Sequence, residues 1–116
     1  MISLTLKPEP PSTNHLYKIF RNRMYMTAEG KAMKELYQYQ AKMGWHEPPI
    51  AKDVSLTLFI YFPTHRRRDL DNCMKILLDS LAGIVYGDDS QISSLAIHRK
   101  YDAKNPRVEV GVLELA

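Results

Sequence analysis

The sequence predicts an α+β fold, a small mixed β-sheet with two main helices packed on one side of it. Three observations predict it. Residues 54–62 place an apolar side chain at every second position, as a strand does. Residues 28–44 and 70–82 repeat apolar side chains at helical spacing. The other strand-like runs, 2–7, 16–20, 23–26, 92–101 and 107–114, are parted by proline, glycine and polar turn residues. The order is β, hairpin, α, β, α, β, β, in one domain over residues 1–116.

The first strand, 2–7, ends at Pro8, Pro10 and Pro11, which supply no ladder donors. Residues 16–20 and 23–26 form a hairpin with Arg21-Asn22 at its turn. Thr27 suits the N-cap of the first helix, and Ala32, Leu36, Tyr39 and Met43 are its expected core face. Gly44 ends that helix. Val54, Leu56, Leu58, Ile60 and Phe62 define the clearest strand, which Pro63 stops. The second helix turns Leu70, Met74, Leu77, Leu78 and Leu81 to the core, with Asp71, Lys75 and Asp79 on another face. Gly83 and Gly87 bracket a turn, and residues 102–106 join the last two strands.

The 116 residues carry a formal charge of +3. That mildly basic balance suits nucleic acid but is weak evidence alone. No apolar run approaches the ~18–20 residues of a membrane span, and the start lacks the shape of a secretory signal, so a cytoplasmic protein without membrane contact is expected. Cys73 is the one cysteine, which excludes an internal disulfide and a cysteine-based zinc site. The four histidines are scattered without ligand spacing.

The informative segment is Arg66-Arg67-Arg68-Asp69-Leu70-Asp71-Asn72-Cys73-Met74-Lys75. A backbone extended at Asp69 and helical by Asp71 lets both carboxylates face one pocket. A second acidic pair, Asp88-Asp89, follows Gly87, and chain order is expected to return it to the same sheet edge. Oxygen ligands without cysteine or histidine favour Mg2+, with Mn2+ able to substitute. Such an ion polarises a phosphoryl oxygen and acidifies an attacking water. Lys75 lies one helical turn beyond Asp71, where it can meet charge that develops in a transition state. The arginine run can hold flanking phosphates. The DNA-facing set is Arg66, Arg67, Arg68 and Asn72 with Lys18, Arg21 and Arg23 of the hairpin; Arg99, Lys100, Lys104 and Arg107 could extend it or solvate the far strands.

Each element also has a plain structural reading. Asp69 can be a helix N-cap, and Asp71–Lys75 a surface pair worth ~0.3–0.5 kcal/mol. Asp88-Asp89 can be turn residues, and the arginines a solvated loop. Their conjunction in this order is the signal. An EF-hand fails because Cys73 and Met74 stand where oxygen ligands and glycine are needed. No glycine-rich phosphate loop occurs, so no nucleotide cofactor is expected.

At these residues the chain resembles the RusA family of Holliday junction resolvases, over nearly its whole length. Pro10-Pro11-Ser12-Thr13-Asn14 is similar to the family's N-terminal motif, and Met26-Thr27-Ala28-Glu29-Gly30 to its entry into the first helix. Arg66 to Asn72 resembles its most diagnostic segment, and Asp88-Asp89-Ser90-Gln91-Ile92 its second acidic motif. The resemblance implies a homodimer that binds four-way junction DNA, depends on Mg2+ or Mn2+ and nicks opposing strands in pairs, in a bacterium or its phage. Matched position by position, it implies catalytic Asp69, Asp71 and Asp89, catalytic Lys75, and Asp88 beside the third aspartate in the metal set. Two other classes stay open: a non-catalytic structure-specific DNA-binding protein, and a metal nuclease acting on flap DNA or RNA.

Overall fold

The computed structural model describes residues 2–116. Its elements are β1 (Leu4–Leu6), α1 (Thr13–Leu16), β2 (Tyr17–Phe20), β3 (Arg23–Met26), α2 (Ala28–Gly44), β4 (Val54–Phe62), α3 (Lys75–Leu81), β5 (Ile92–Tyr101) and β6 (Arg107–Glu114). The main sheet runs β1-β6-β4-β5, and β2 with β3 forms a separate hairpin. The α+β class and the mixed sheet are as the sequence predicts.

Strand β4 is central. Its pairing is parallel with β5 and antiparallel with β6. Val54, Leu56, Leu58, Ile60 and Phe62 all point to the helices and are buried. Ser55, Thr57, Phe59 and Tyr61 are half-buried on the opposite face. A parallel pair needs a crossover, and the segment carrying α3 supplies it. The short connection from β5 to β6 arches over the end of β4, where Asp102 N–H donates to the Phe62 carbonyl at 2.9 Å. Arg107 fixes that arch, at 2.9 Å from Asp102 and 3.1 Å from Glu109, with its guanidinium 3.8 Å from the Tyr61 ring centroid. Arg107 is therefore structural rather than part of a free basic surface.

The α2 helix starts as expected: the Thr27 side chain accepts from Gly30 N–H at 3.0 Å. Its predicted core face is overturned. Leu36, Tyr39 and Met43 are 43%, 66% and 63% exposed, and Ala32 is exposed as well. The face turned inward carries Gly30, Met33, Tyr37 and Ala41. Close approach decides between the two stripes. A Cβ on Gly30 would stand 2.3 Å from the Leu16 carbonyl oxygen, so only the stripe with glycine and alanine fits against α1. Tyr37 then donates to the Pro8 carbonyl at 2.5 Å, and Gln40 exchanges two hydrogen bonds with Lys7. These bonds hold the proline-rich segment against the helix.

Two further expectations change. The helix predicted over 70–82 divides into a 3-10 turn, Leu70–Cys73, and α3 proper. Ile76, Leu77 and Leu81 are fully buried, while Leu70, Met74 and Leu78 are only half-buried. Helix α1, four residues long, stands where a loop and the start of a strand are predicted. Tyr17 and Tyr86 lie in the core and Trp45 packs on it, whereas Phe20 and Tyr25 are exposed.

Gly30→Ala forces that helix off α1 and is expected to lower stability by about 1–3 kcal/mol, the range for overpacking. Leu58→Ala, a truncation inside the core, is expected to cost about 2–5 kcal/mol. Urea unfolding followed by far-UV circular dichroism measures both. A Gly30→Ala protein as stable as the parent would contradict the close approach of α1 and α2.

Candidate active site

The site begins where β4 ends. Pro63 breaks the ladder, and the arginine loop leaves the carboxyl end of the parallel β4–β5 pair, the end at which open α/β sheets gather their ligand sites. The loop is pinned by one of its own arginines. Arg68 donates to the Thr64 and Arg66 carbonyls, both at 3.1 Å, and to the Thr64 hydroxyl at 2.9 Å. Its guanidinium lies 4.6 Å from the Phe62 ring centroid. Arg99 of β5 donates to the Arg68 carbonyl, and His65 stacks on Tyr101 with ring centroids 3.9 Å apart. Arg68 and Arg99 thus build the loop. Arg66 and Arg67 are exposed and form no ion pair among the described residues.

Asp69 occupies the N-cap position of the 3-10 turn with an extended backbone, φ −86° and ψ 122°, and makes no capping bond with its side chain. The plain N-cap reading of Asp69 therefore fails. Asp71 sits inside the turn, also exposed. Neither carboxylate has an ion-pair partner among the described residues. Backbone bonds fix the turn beneath them: Asn72 N–H donates to the Asp69 carbonyl at 3.1 Å, and the Thr13 hydroxyl donates to the Asn72 carbonyl at 2.6 Å. A cavity of about 300 Å3 opens beside Asp69, between the arginine run and Asn72 on one side and Pro10, Pro11, Ser12 and His15 on the other. Cys73 forms part of its floor; burial pushes its thiol up, which suits a packed side chain and not a nucleophile.

Lys75 pairs with Asp79 and not with Asp71. Its Nζ is 3.2 Å from Asp79 Oδ2, and the Tyr17 hydroxyl donates to the same oxygen at 2.5 Å. Tyr17 and Thr13 are contacts that residue spacing does not reveal. Asp79 was visible only as the third member of the Asp71, Lys75, Asp79 face.

The second acidic pair does not join the first within one chain. Gln91, two residues beyond Asp89, donates to the Ile50 and Lys52 carbonyls, and Ile92 is level with Val54 at the start of β4. Arg99, which holds the carbonyl before Asp69, is level with Ile60. Those levels lie roughly 20 Å apart along a strand rising ~3.3 Å per residue. Among the described residues no three acidic, histidine or cysteine side chains gather to hold a metal, so the expected convergence of Asp69, Asp71 and Asp89 in each subunit is not seen in the single chain. The cause is topological: the crossover carries the chain back to the opposite end of β4 before β5 begins. Asp88 caps its own turn, accepting from Ser90 N–H at 3.0 Å while its N–H donates to the Gln91 side chain at 2.8 Å. Those bonds from Ser90 hold its carboxyl below the usual carboxylate range. Asp89 is exposed and in no ion pair among the described residues.

Asp69 and Asp71 nonetheless fit Mg2+. They are two exposed oxygen donors outside any ion pair among the described residues, and Mg2+ takes only one or two protein carboxylates while keeping several waters. The hairpin adds Lys18, Arg21 and Arg23, all exposed. No helix of the described residues is long and apolar enough to cross a membrane.

Comparison with known proteins identifies the family. The family described as Endodeoxyribonuclease RusA matches residues 8–113. A protein of Escherichia coli (strain K12) named crossover junction endodeoxyribonuclease RusA is 32% identical over 114 residues, covering 97% of this chain and 94% of its own. A protein of the same name from Shigella sonnei matches to the same extent. One from Enterobacteria phage 82 is 30% identical over 109 residues, covering 93% of this chain and 91% of its own. With a match that runs through the proline-rich segment, the arginine loop and both acidic pairs, the chain belongs to the RusA family of endodeoxyribonucleases.

Proposed function

We propose that the protein is a structure-specific endonuclease that resolves Holliday junctions by metal-dependent nicks in opposing strands, during DNA recombination and repair. One observation carries the reading: two exposed carboxylates, Asp69 and Asp71, follow two exposed arginines, Arg66 and Arg67, across the bonded Arg68, all four outside any ion pair among the described residues, in a chain whose relatives are named for this activity.

Asp69 and Asp71 would hold Mg2+ or Mn2+. The bound ion supplies charge for the phosphoryl oxygen and a more acidic water. The chain's own groups do the rest. Arg66 and Arg67 grip phosphates flanking the cut, and Lys18, Arg21, Arg23 and Asn72 extend the contact to the arms. Phosphate contacts of this kind set register, and junction choice follows from DNA shape. Lys75 contributes positive charge beside the scissile group. Asp88 and Asp89 of the same chain join no cluster with them among the described residues, so a ligand they give that ion would come from a second protomer.

A homodimer suits this task. A junction has approximate two-fold symmetry, and a two-fold protein offers it two identical sites. Ile19, Phe20, Met24 and Tyr25 on the hairpin and Leu36, Tyr39 and Met43 on α2 are exposed apolar side chains available to such an interface. Relatives in enteric bacteria and a phage, together with DNA as substrate, point to the bacterial cytoplasm as the place of action. One observation favours a second reading, a non-catalytic junction-binding protein: the separation of the two acidic pairs within one chain.

Cleavage of a synthetic four-way junction decides between them. With Mg2+ the protein is expected to nick opposing strands, and with EDTA to bind without nicking. Binding without nicks in Mg2+ or Mn2+ would establish the second reading. Asp71→Asn is expected to keep junction affinity while cleavage falls by at least roughly a hundredfold, since the ion's several kcal/mol of charge stabilisation are lost. Parental cleavage by that variant would remove Asp71 from the site. Arg67→Ala should weaken junction binding and reduce the slope of log K against log salt by about 1. Arg68→Ala should instead open the 63–69 loop to limited proteolysis.

A further inference from the structure

The Lys75–Asp79 pair has the spacing of an ordinary helical surface pair. Its setting is not ordinary. A third group, the hydroxyl of Tyr17, comes from 62 positions away in the sequence and donates to the same Asp79 oxygen at 2.5 Å. Tyr17 is buried, and the Lys75 Nζ lies 4.9 Å from the centroid of its ring. The ammonium thus rests against a carboxylate and an aromatic face at once, and both are held by a residue that cannot move without disturbing the core. Lys75 itself keeps 41% of its side chain exposed, so an incoming phosphate still reaches it.

The geometry points to Asp79 and Tyr17 as positioning residues that hold the Lys75 ammonium ready for the scissile phosphate. The inference rests on the reading above that Lys75 acts in phosphodiester hydrolysis. An unheld lysine is a flexible four-carbon stem with a strongly hydrated charge. Fixing it beforehand removes that ordering from the barrier of the chemical step. Burial, with the hydrogen bond to Asp79 added, pushes the Tyr17 hydroxyl far above its ordinary range, so it stays protonated and remains a donor. The same short stretch of chain also grips the acidic turn, through the Thr13 hydroxyl on the Asn72 carbonyl. Residues 13–17 therefore clamp both ends of the segment that carries Asp71 and Lys75. This gives the Pro-Pro-Ser-Thr-Asn motif a task at the reacting centre.

Single-turnover cleavage of a four-way junction in saturating Mg2+, measured beside junction affinity, tests the inference with Lys75→Ala, Asp79→Asn, Asp79→Glu, Tyr17→Phe and the double variants. Asp79→Asn is expected to slow cleavage on the order of tenfold to a hundredfold, the scale of a misplaced group. Junction affinity and the Mg2+ concentration for half-maximal rate should not change, and Asp79→Glu should recover part of the rate. In a Lys75→Ala background, neither Asp79→Asn nor Tyr17→Phe should slow cleavage further. Should Asp79→Asn melt early, Tyr17→Phe, which keeps the buried ring, carries the same comparison. Slow Lys75→Ala with parental Asp79→Asn and Tyr17→Phe overturns the inference alone. An equal fold-loss with and without Lys75 overturns it too, because Asp79 would then act by another route. A parental rate for Lys75→Ala overturns the assignment of Lys75 and the inference together.

Discussion

Strand β4 gives both rows of its backbone hydrogen-bonding groups to neighbours, β5 on one side and β6 on the other. Unpaired buried amides and carbonyls are costly, so a strand held on both edges, with five buried side chains on one face, has no room to shift register. A one-residue slip would send those side chains to the opposite face. The arginine loop and the first acidic pair hang from the end of this strand. Pro63 releases the chain at a fixed point, the arginine loop folds back on Phe62, and the aspartates follow on a turn whose start is thereby set.

How much of this could be read in the chain depends on the range of the interaction. Strand β4 and the hairpin turn at Arg21-Asn22 were legible because period-two alternation and turn residues are local signals. The extended backbone at Asp69 was legible for the same reason. The inward face of α2 was not. Two stripes one position apart compete, and the choice went to the one whose glycine admits the Leu16 carbonyl, a contact between distant segments. The separation of Asp88-Asp89 from Asp69 was hidden likewise, since spacing along the chain does not say to which end of a strand a crossover returns. Tyr17 on Asp79 is a third case: 62 positions lie between them, and nothing in either neighbourhood announces the other.

The basic residues divide by what surrounds them, and composition alone conceals the division. Arg68, Arg99 and Arg107 donate to carbonyls or carboxylates of their own fold. Arg66, Arg67, Lys18, Arg21 and Arg23 lie on exposed backbone with no ion pair among the described residues. Two of them, Arg66 and Arg67, stand just ahead of the acidic turn, and the other three lie on the hairpin.

The hairpin turn has an implication for how this fold was shaped. Arg21 and Asn22 both adopt positive φ, 51° and 61°, a conformation that an L-residue other than glycine enters at roughly 1–2 kcal/mol. Asparagine followed by glycine is the pair that relieves such a turn. Instead the chain keeps a long cation at the tip of the hairpin, its guanidinium 5.3 Å from the Phe20 ring centroid. The tip thus carries a charge and an aromatic contact at positions where glycine would relax the backbone.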